Sequence, residues 1–173
     1  VLLDEGPGVG RCVEDGLVFH KSNILLGILA ALFHDAGLIQ TEQDLKGTGA
    51  KYTIGHEERS VGFMQANLSE KGFAPAQIKD CAHLIKCTNL DLDIRKIPFR
   101  SREIETLGKI VGSSDLLAQI ADRHYLEKLL LLFKEFEEAG IPGFDSEEQL
   151  LRKTEGFYEH VARKRLTGDF DNI

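Results

Sequence analysis

His34 and Asp35 stand side by side at the end of Ile24–Phe33, a stretch with almost no polar residue. An imidazole and a carboxylate delivered together from an apolar segment are costly to desolvate unless something charged pairs with them. A divalent cation is a fitting partner, because neutral imidazole nitrogen and carboxylate oxygen are standard ligands of zinc, manganese and iron. A second acid follows downstream in the row Ile104, Leu107, Val111, Asp115, Ala118, Asp122. Steps of three and four residues put these side chains on one helix face. Asp115 therefore interrupts an inward-facing row. It either shares the cation of His34 and Asp35, pairs with an arginine, or faces a wet groove. Asp122, next to Arg123, reads as a structural ion pair.

The elements that must position these groups are helical. Ile24–Phe33 has no polar face, which predicts a helix buried on all sides. Ser22 or Asn23 can cap its start, and Gly37 stands where a left-handed terminator is wanted. Thr41–Gly55 is polar, holds three glycines and reads as an exposed, mobile loop. A helix is expected from near His56 to about Leu68, with Val61, Met64 and Leu68 inward. Pro75 opens another that runs to about Cys87, with Ile78, Cys81 or Ala82, and Ile85 inward. Thr88–Arg100 should be irregular. Ser101–Glu138 reads as one long helical region bent near Gly112 or Arg123. Ser146 and Gln149 form a capping box for a short helix, and a last helix covers about Glu155–Leu166. Asp4–Gly16 reads as a loop. The expected architecture is all-α, a compact multi-helix bundle, as a single domain over residues 1–173.

Composition narrows the function. The chain has 173 residues, 42% hydrophobic and 28% charged, enough for a sizeable core. Its net charge of −7 argues against a nucleic-acid polymer or an anionic membrane surface as partner. A small phosphorylated substrate stays compatible, because a local cation reverses the field in a cleft. No apolar stretch is long enough to span a membrane. Cys12, Cys81 and Cys87 form no CxxC pair, which suits reduced thiols in the cytoplasm.

The string Ala30–Gly37, with His34-Asp35 inside it, resembles the signature of the HD-domain metal-dependent phosphohydrolase superfamily, and Gly112–Leu117 resembles that family's distal aspartate segment. The resemblance spans about Leu25 to Asp122. It implies an HD-type helical bundle, a divalent metal ion (Mn, Fe, Zn, Mg, Ni or Co) as cofactor, and His34, Asp35 and Asp115 as its ligands. The family's early histidine precedes the doublet by about 30 residues on a preceding helix. Here the upstream candidate is His20, which a straight helix would hold about 20 Å from His34. The first ligand is accordingly expected upstream of Val1, in a part of the domain missing from this sequence, with His20 as the alternative.

His56-Glu57-Glu58-Arg59-Ser60 resembles the His-Glu-x-x-Ser segment of some HD-domain proteins, where the histidine binds a second metal or contacts phosphate. His56 is also suited to general-acid work toward a leaving oxygen, since imidazole titrates in the useful range. Asp35 and His56 are thus the candidate catalytic residues. His83, between Cys81 and Cys87, reads as an ordinary partly buried histidine, and His124 and His160 as surface groups. Lys46, Lys51, Arg59, Lys86 and Arg123 are candidate anion contacts. The apolar Leu129–Phe133 suits core burial or a homodimer contact.

The expected function is metal-dependent hydrolysis of a phosphoester, with a nucleotide as substrate and phosphodiesterase or phosphomonoesterase action, the Thr41–Gly55 loop serving as a lid. A degenerate HD fold acting as a non-catalytic nucleotide-binding or docking module is the alternative. A di-iron oxygen-activating bundle would need more histidines than the Cys87-Thr88-Asn89 helix ending offers.

Overall fold

Lys21–Phe33 has a helix-compatible sequence to its first residue, so helix α1 starts at Lys21 and not at Ser22 or Asn23, with His20 as its extended N-cap. Five more helices follow among the described residues, residues 9–11 and 17–173 of this computed structural model. They are α2 (His56–Glu70), α3 (Pro75–Lys86), α4 (Arg102–Ile120), α5 (Tyr125–Ala139) and α6 (Glu147–Phe157). The mostly helical architecture is the all-α bundle expected. One departure is a short antiparallel ribbon, β1 (Val9–Arg11) on β2 (Val18–His20), with Gly10 opposite Phe19. The expected Asp4–Gly16 loop therefore contains a strand at Val9–Arg11; its other residues, Cys12 included, lie outside the described residues.

α1 packs on α3 and α4, and α2 packs on α3. Their shared core holds Leu26, Ala30, Met64, Leu68, Leu84, Ile85 and Ile104. α1 is nevertheless not buried all round. Leu25, Ile28 and Leu32 form an exposed stripe at helical spacing, Leu32 being 73% exposed. An all-apolar helix satisfies the core with one face, and its sequence carries no sign of which face is left outside.

The long region 101–138 is two helices. The break at Ala121–His124 has a local cause, because the Asp122 carboxylate accepts from the His124 backbone N–H at 2.8 Å, a local bond that turns the chain just before α5. Asp122 also pairs with Lys128 and not with Arg123. The two expected C-terminal helices are one run, in which α6 continues through π-type turns at Tyr158–Ala162 and Arg165–Asp169. Phe170 then buries against Cys87, Ile94 and Ile97, tying the end of the chain to the segment after α3. Within Leu129–Phe133, Leu129 and Phe133 are buried while Leu130 and Leu131 are exposed. No helix among the described residues is long and apolar enough to cross a membrane.

Candidate functional site

The end of α1 and the start of α2 meet because Gly37 lets them. A Cβ built on Gly37 would lie 1.9 Å from the His56 carbonyl oxygen and 2.9 Å from the Ser60 nitrogen. No side chain fits there, so the backbone of the 3₁₀ turn Ala36–Leu38 lies directly on α2. Gly37 is thus required for a close approach and not as a left-handed terminator; its φ is not positive. The fully buried Ser60 fastens the contact, its hydroxyl accepting from the Gly37 N–H at 2.8 Å and donating to the His34 carbonyl. Arg59 adds a clamp, donating from Nε to the Gly37 carbonyl at 2.7 Å and from Nη2 to that of Ile39 at 3.2 Å. Its guanidinium lies 3.6 Å from the Tyr52 ring centre. Arg59 therefore clamps the turn through Nε and Nη2.

This packing brings His34, Asp35, His56 and Asp115 into one chain of contacts. His34 Nε2 lies 3.3 Å from Asp35 Oδ2 and 3.3 Å from Asp115 Oδ1. His56 Nε2 lies 3.3 Å from Asp35 Oδ1. Both rings are oriented from behind, His34 Nδ1 being 2.7 Å from the Ala31 carbonyl and His56 Nδ1 2.8 Å from that of Thr53. A carbonyl only accepts, so each Nδ1 carries the hydrogen. Each Nε2 is then either protonated or presents a lone pair toward carboxylate oxygens. A lone pair facing an anion is unfavourable unless a positive charge, a proton or a cation, lies between.

The charges follow from these contacts. Asp115, then Asp35, raises the His34 pKa to about 10. His34, then His56, holds the Asp35 carboxyl well below the usual carboxylate range, and Asp35 in turn raises His56 against the effect of burial. In the cation-free protein His34 therefore stabilises the fold fully below its ordinary 6.5, and that contribution is lost as pH rises through about 10. The difference in melting temperature between the wild-type protein and His34→Gln is expected to shrink over that window. A difference that stays constant from pH 6.5 to 10 would contradict the pairing.

Among the described residues no group of three or more His, Cys, Asp and Glu side chains forms a ready-made cation shell. The donor chemistry nonetheless fits a divalent ion. Two imidazoles whose far nitrogens are anchored on carbonyls, with the Asp35 carboxylate between them and Asp115 beyond His34, are the arrangement in which outer hydrogen bonds orient ligating histidines. His34, Asp35 and Asp115 would hold such an ion, with His56 next to it.

A family model described as Npun_R2479-like matches residues 9–167, a span that includes all four residues. The chain belongs to the Npun_R2479-like family. Searches of curated proteins and of solved structures gave no match.

Other candidates fall outside the site. His20 caps the start of α1 while His34 caps its end, about 20 Å away along the helix. Its backbone N–H is engaged by Glu103 Oε1 at 2.6 Å. Thr41–Gly55 is not a free lid. Lys51 Nζ lies 2.6 Å from Asp44 Oδ1 and 2.6 Å from the Lys46 carbonyl. Tyr52 also bonds Asp44, and Thr48 donates to Glu138 of α5. Lys51 is thereby committed to closing the loop, Lys46 supplies one of its acceptors, and Arg123 donates to His124 Nε2 at 3.1 Å. Cys81 and Cys87 are free and buried, and burial pushes both thiols up to about 12.

A cleft of about 410 Å³ opens beside the first turn of α2, lined by Glu57, Glu58, His83, Lys86, Asn89 and the segment up to Pro98. It borders the site through Glu57, whose Oε2 is 3.6 Å from His56 Nδ1. Lys86 pairs across it with Glu58 at 2.9 Å. The bonds of Ser60 and Arg59 and the close contact of Gly37 are features of the candidate site that spacing alone did not reveal. Ser60 did carry a sequence signal, both in the His56–Ser60 segment and as a polar residue beside the apolar Val61, Met64 and Leu68 positions of α2.

Proposed function

We propose that this protein is a metal-dependent phosphohydrolase of the HD type, which cleaves a phosphoester of a nucleotide. The observation that carries the reading is that two imidazoles, each locked through Nδ1 onto a backbone carbonyl, both direct Nε2 at Asp35. His34, Asp35 and Asp115 are the residues that would hold a divalent cation. What such an ion supplies when bound is Lewis acidity toward a phosphoryl oxygen and toward water.

The chain's own groups do the rest. Asp35 orients both imidazoles at once. His56, whose pKa Asp35 raises above the ordinary imidazole value against the effect of burial, is placed to give a proton from Nε2 to the departing ester oxygen. Asp115 fixes the far side of His34. Ser60 and Arg59 hold the two backbone segments in register. Two reduced, buried thiols support placing this chemistry in the cytoplasm.

The test is turnover of p-nitrophenyl phosphate and bis-p-nitrophenyl phosphate with Mn²⁺ added. Wild-type protein is expected to hydrolyse at least one of them. His56→Gln, which keeps a hydrogen-bonding side chain without the titrating proton, should lose about 100-fold in kcat and flatten the alkaline limb of the pH profile. No turnover with any divalent metal would overturn the reading and favour the non-catalytic nucleotide-binding module.

A further inference from the structure

The cleft beside His56 has a lining whose charge and shape select what lies on the far side of the scissile bond. Its charged groups are three carboxylates, Glu57, Glu58 and Asp91, and two ammonium groups, Lys86 and Lys96. One of the ammonium groups, Lys86, is already engaged by Glu58. A second phosphate would meet a net negative wall there. One wall is apolar and built from Leu92, Ile97 and Pro98.

Asn89 is the polar group set for recognition. Its Oδ1 accepts from two backbone amides, Asp91 N at 2.9 Å and Leu92 N at 3.0 Å. Two N–H donors fix which end of the amide is oxygen, so Nδ2 is left with hydrogens to donate. Asn89 is held in place in turn by Arg165, whose Nη2 donates to its carbonyl at 2.8 Å. The ring of His83, only 9% exposed, also lines the cleft, and its Nδ1 has no hydrogen-bond partner among the described residues. Its environment disfavours the charged imidazole, chiefly through burial.

We propose that this cleft binds the uncharged organic part of the phosphoester, a nucleoside, with its flat ring against Leu92, Ile97 and Pro98 and a ring acceptor on Asn89 Nδ2. The protein therefore acts on nucleoside monophosphate esters and discriminates against di- and triphosphates. This rests on reading the neighbouring site as a phosphoester hydrolase.

The experiment titrates the cation-free protein with adenosine, which carries no phosphate, and follows binding by calorimetry and by the His83 ring resonances. Adenosine is expected to bind saturably with a Kd of about 1 mM or tighter. Asn89→Asp keeps the acceptor for both backbone amides but removes the donor, so binding should weaken by about tenfold at unchanged melting temperature. Adenosine triphosphate should bind no more tightly than adenosine. Absent adenosine binding, undiminished binding by a folded Asn89→Asp, equal binding of ribose, or tighter binding of the triphosphate would each overturn the proposal. Adenosine binding is read without turnover, so a protein that binds it but hydrolyses nothing refutes the hydrolase reading alone.

Discussion

Asp35→Ala is expected to lower phosphoester turnover by at least about 100-fold, the cost of disturbing even the outer partners of a metal ligand. The effect is large because one carboxylate serves two rings, Oδ2 facing His34 and Oδ1 facing His56, each at 3.3 Å. Removing it frees both imidazoles and leaves His56 without the group that most raises its pKa. Stability should change far less, since Asp35 is more than half exposed. Asp35→Asn separates charge from shape, because the amide keeps the volume but cannot hold a cation as a carboxylate does. Steady-state kinetics on both variants, with thermal melts as the folding control, checks this. Turnover within a few-fold of wild type in Asp35→Ala would remove the residue from the mechanism.

Gly37→Ala is expected to cost about 3 kcal/mol of folding stability, at the upper end for overpacking. The added methyl would collide with the backbone at His56 and Ser60, which cannot swing aside as a flexible side chain can. Relief requires moving the His34–Asp35 turn off α2, and that separates Asp35 from His56. Any folded population should therefore also lose turnover. Gly62→Ala, on the same helix, is the control. Nothing lies within 4 Å of a Cβ there, so the change is expected to be neutral or to stabilise α2 by roughly 0.5–1 kcal/mol. Chemical denaturation distinguishes the two. A Gly37→Ala protein with a wild-type midpoint would show that the turn can shift without consequence.

That the structure brings four candidate residues together was legible in part from helical spacing, which marks His34, Asp35 and Asp115, and in part from the resemblance of the His56–Ser60 segment. His34-Asp35 ends an apolar run, Asp115 interrupts an apolar stripe, and His56 opens a helix after a polar loop. What escaped was set by contacts between segments. Gly37 has the composition of a terminator, and only its approach to His56 shows that the missing Cβ is the point. Thr41–Gly55 has the composition of a mobile loop, yet Asp44 gathers Lys51 and Tyr52 around itself and Glu138 holds Thr48. The strand Val9–Arg11 is too short for alternation to register. The break near Asp122 is a side-chain-to-backbone bond that periodicity does not see. The Leu25–Ile28–Leu32 stripe reads as core from its sequence and is exposed, because apolarity marks which residues can be buried and not which have a neighbour to bury them.

The most direct test is equilibrium binding of Mn²⁺ to the purified protein, followed by electron paramagnetic resonance of the free ion. One saturable site per chain is expected in the wild type, lost in the His34→Gln/Asp115→Asn double variant while the protein stays folded. Saturable binding that persists unchanged in that variant, or no binding by the wild type, would contradict the claim that these helices meet in order to hold a cation.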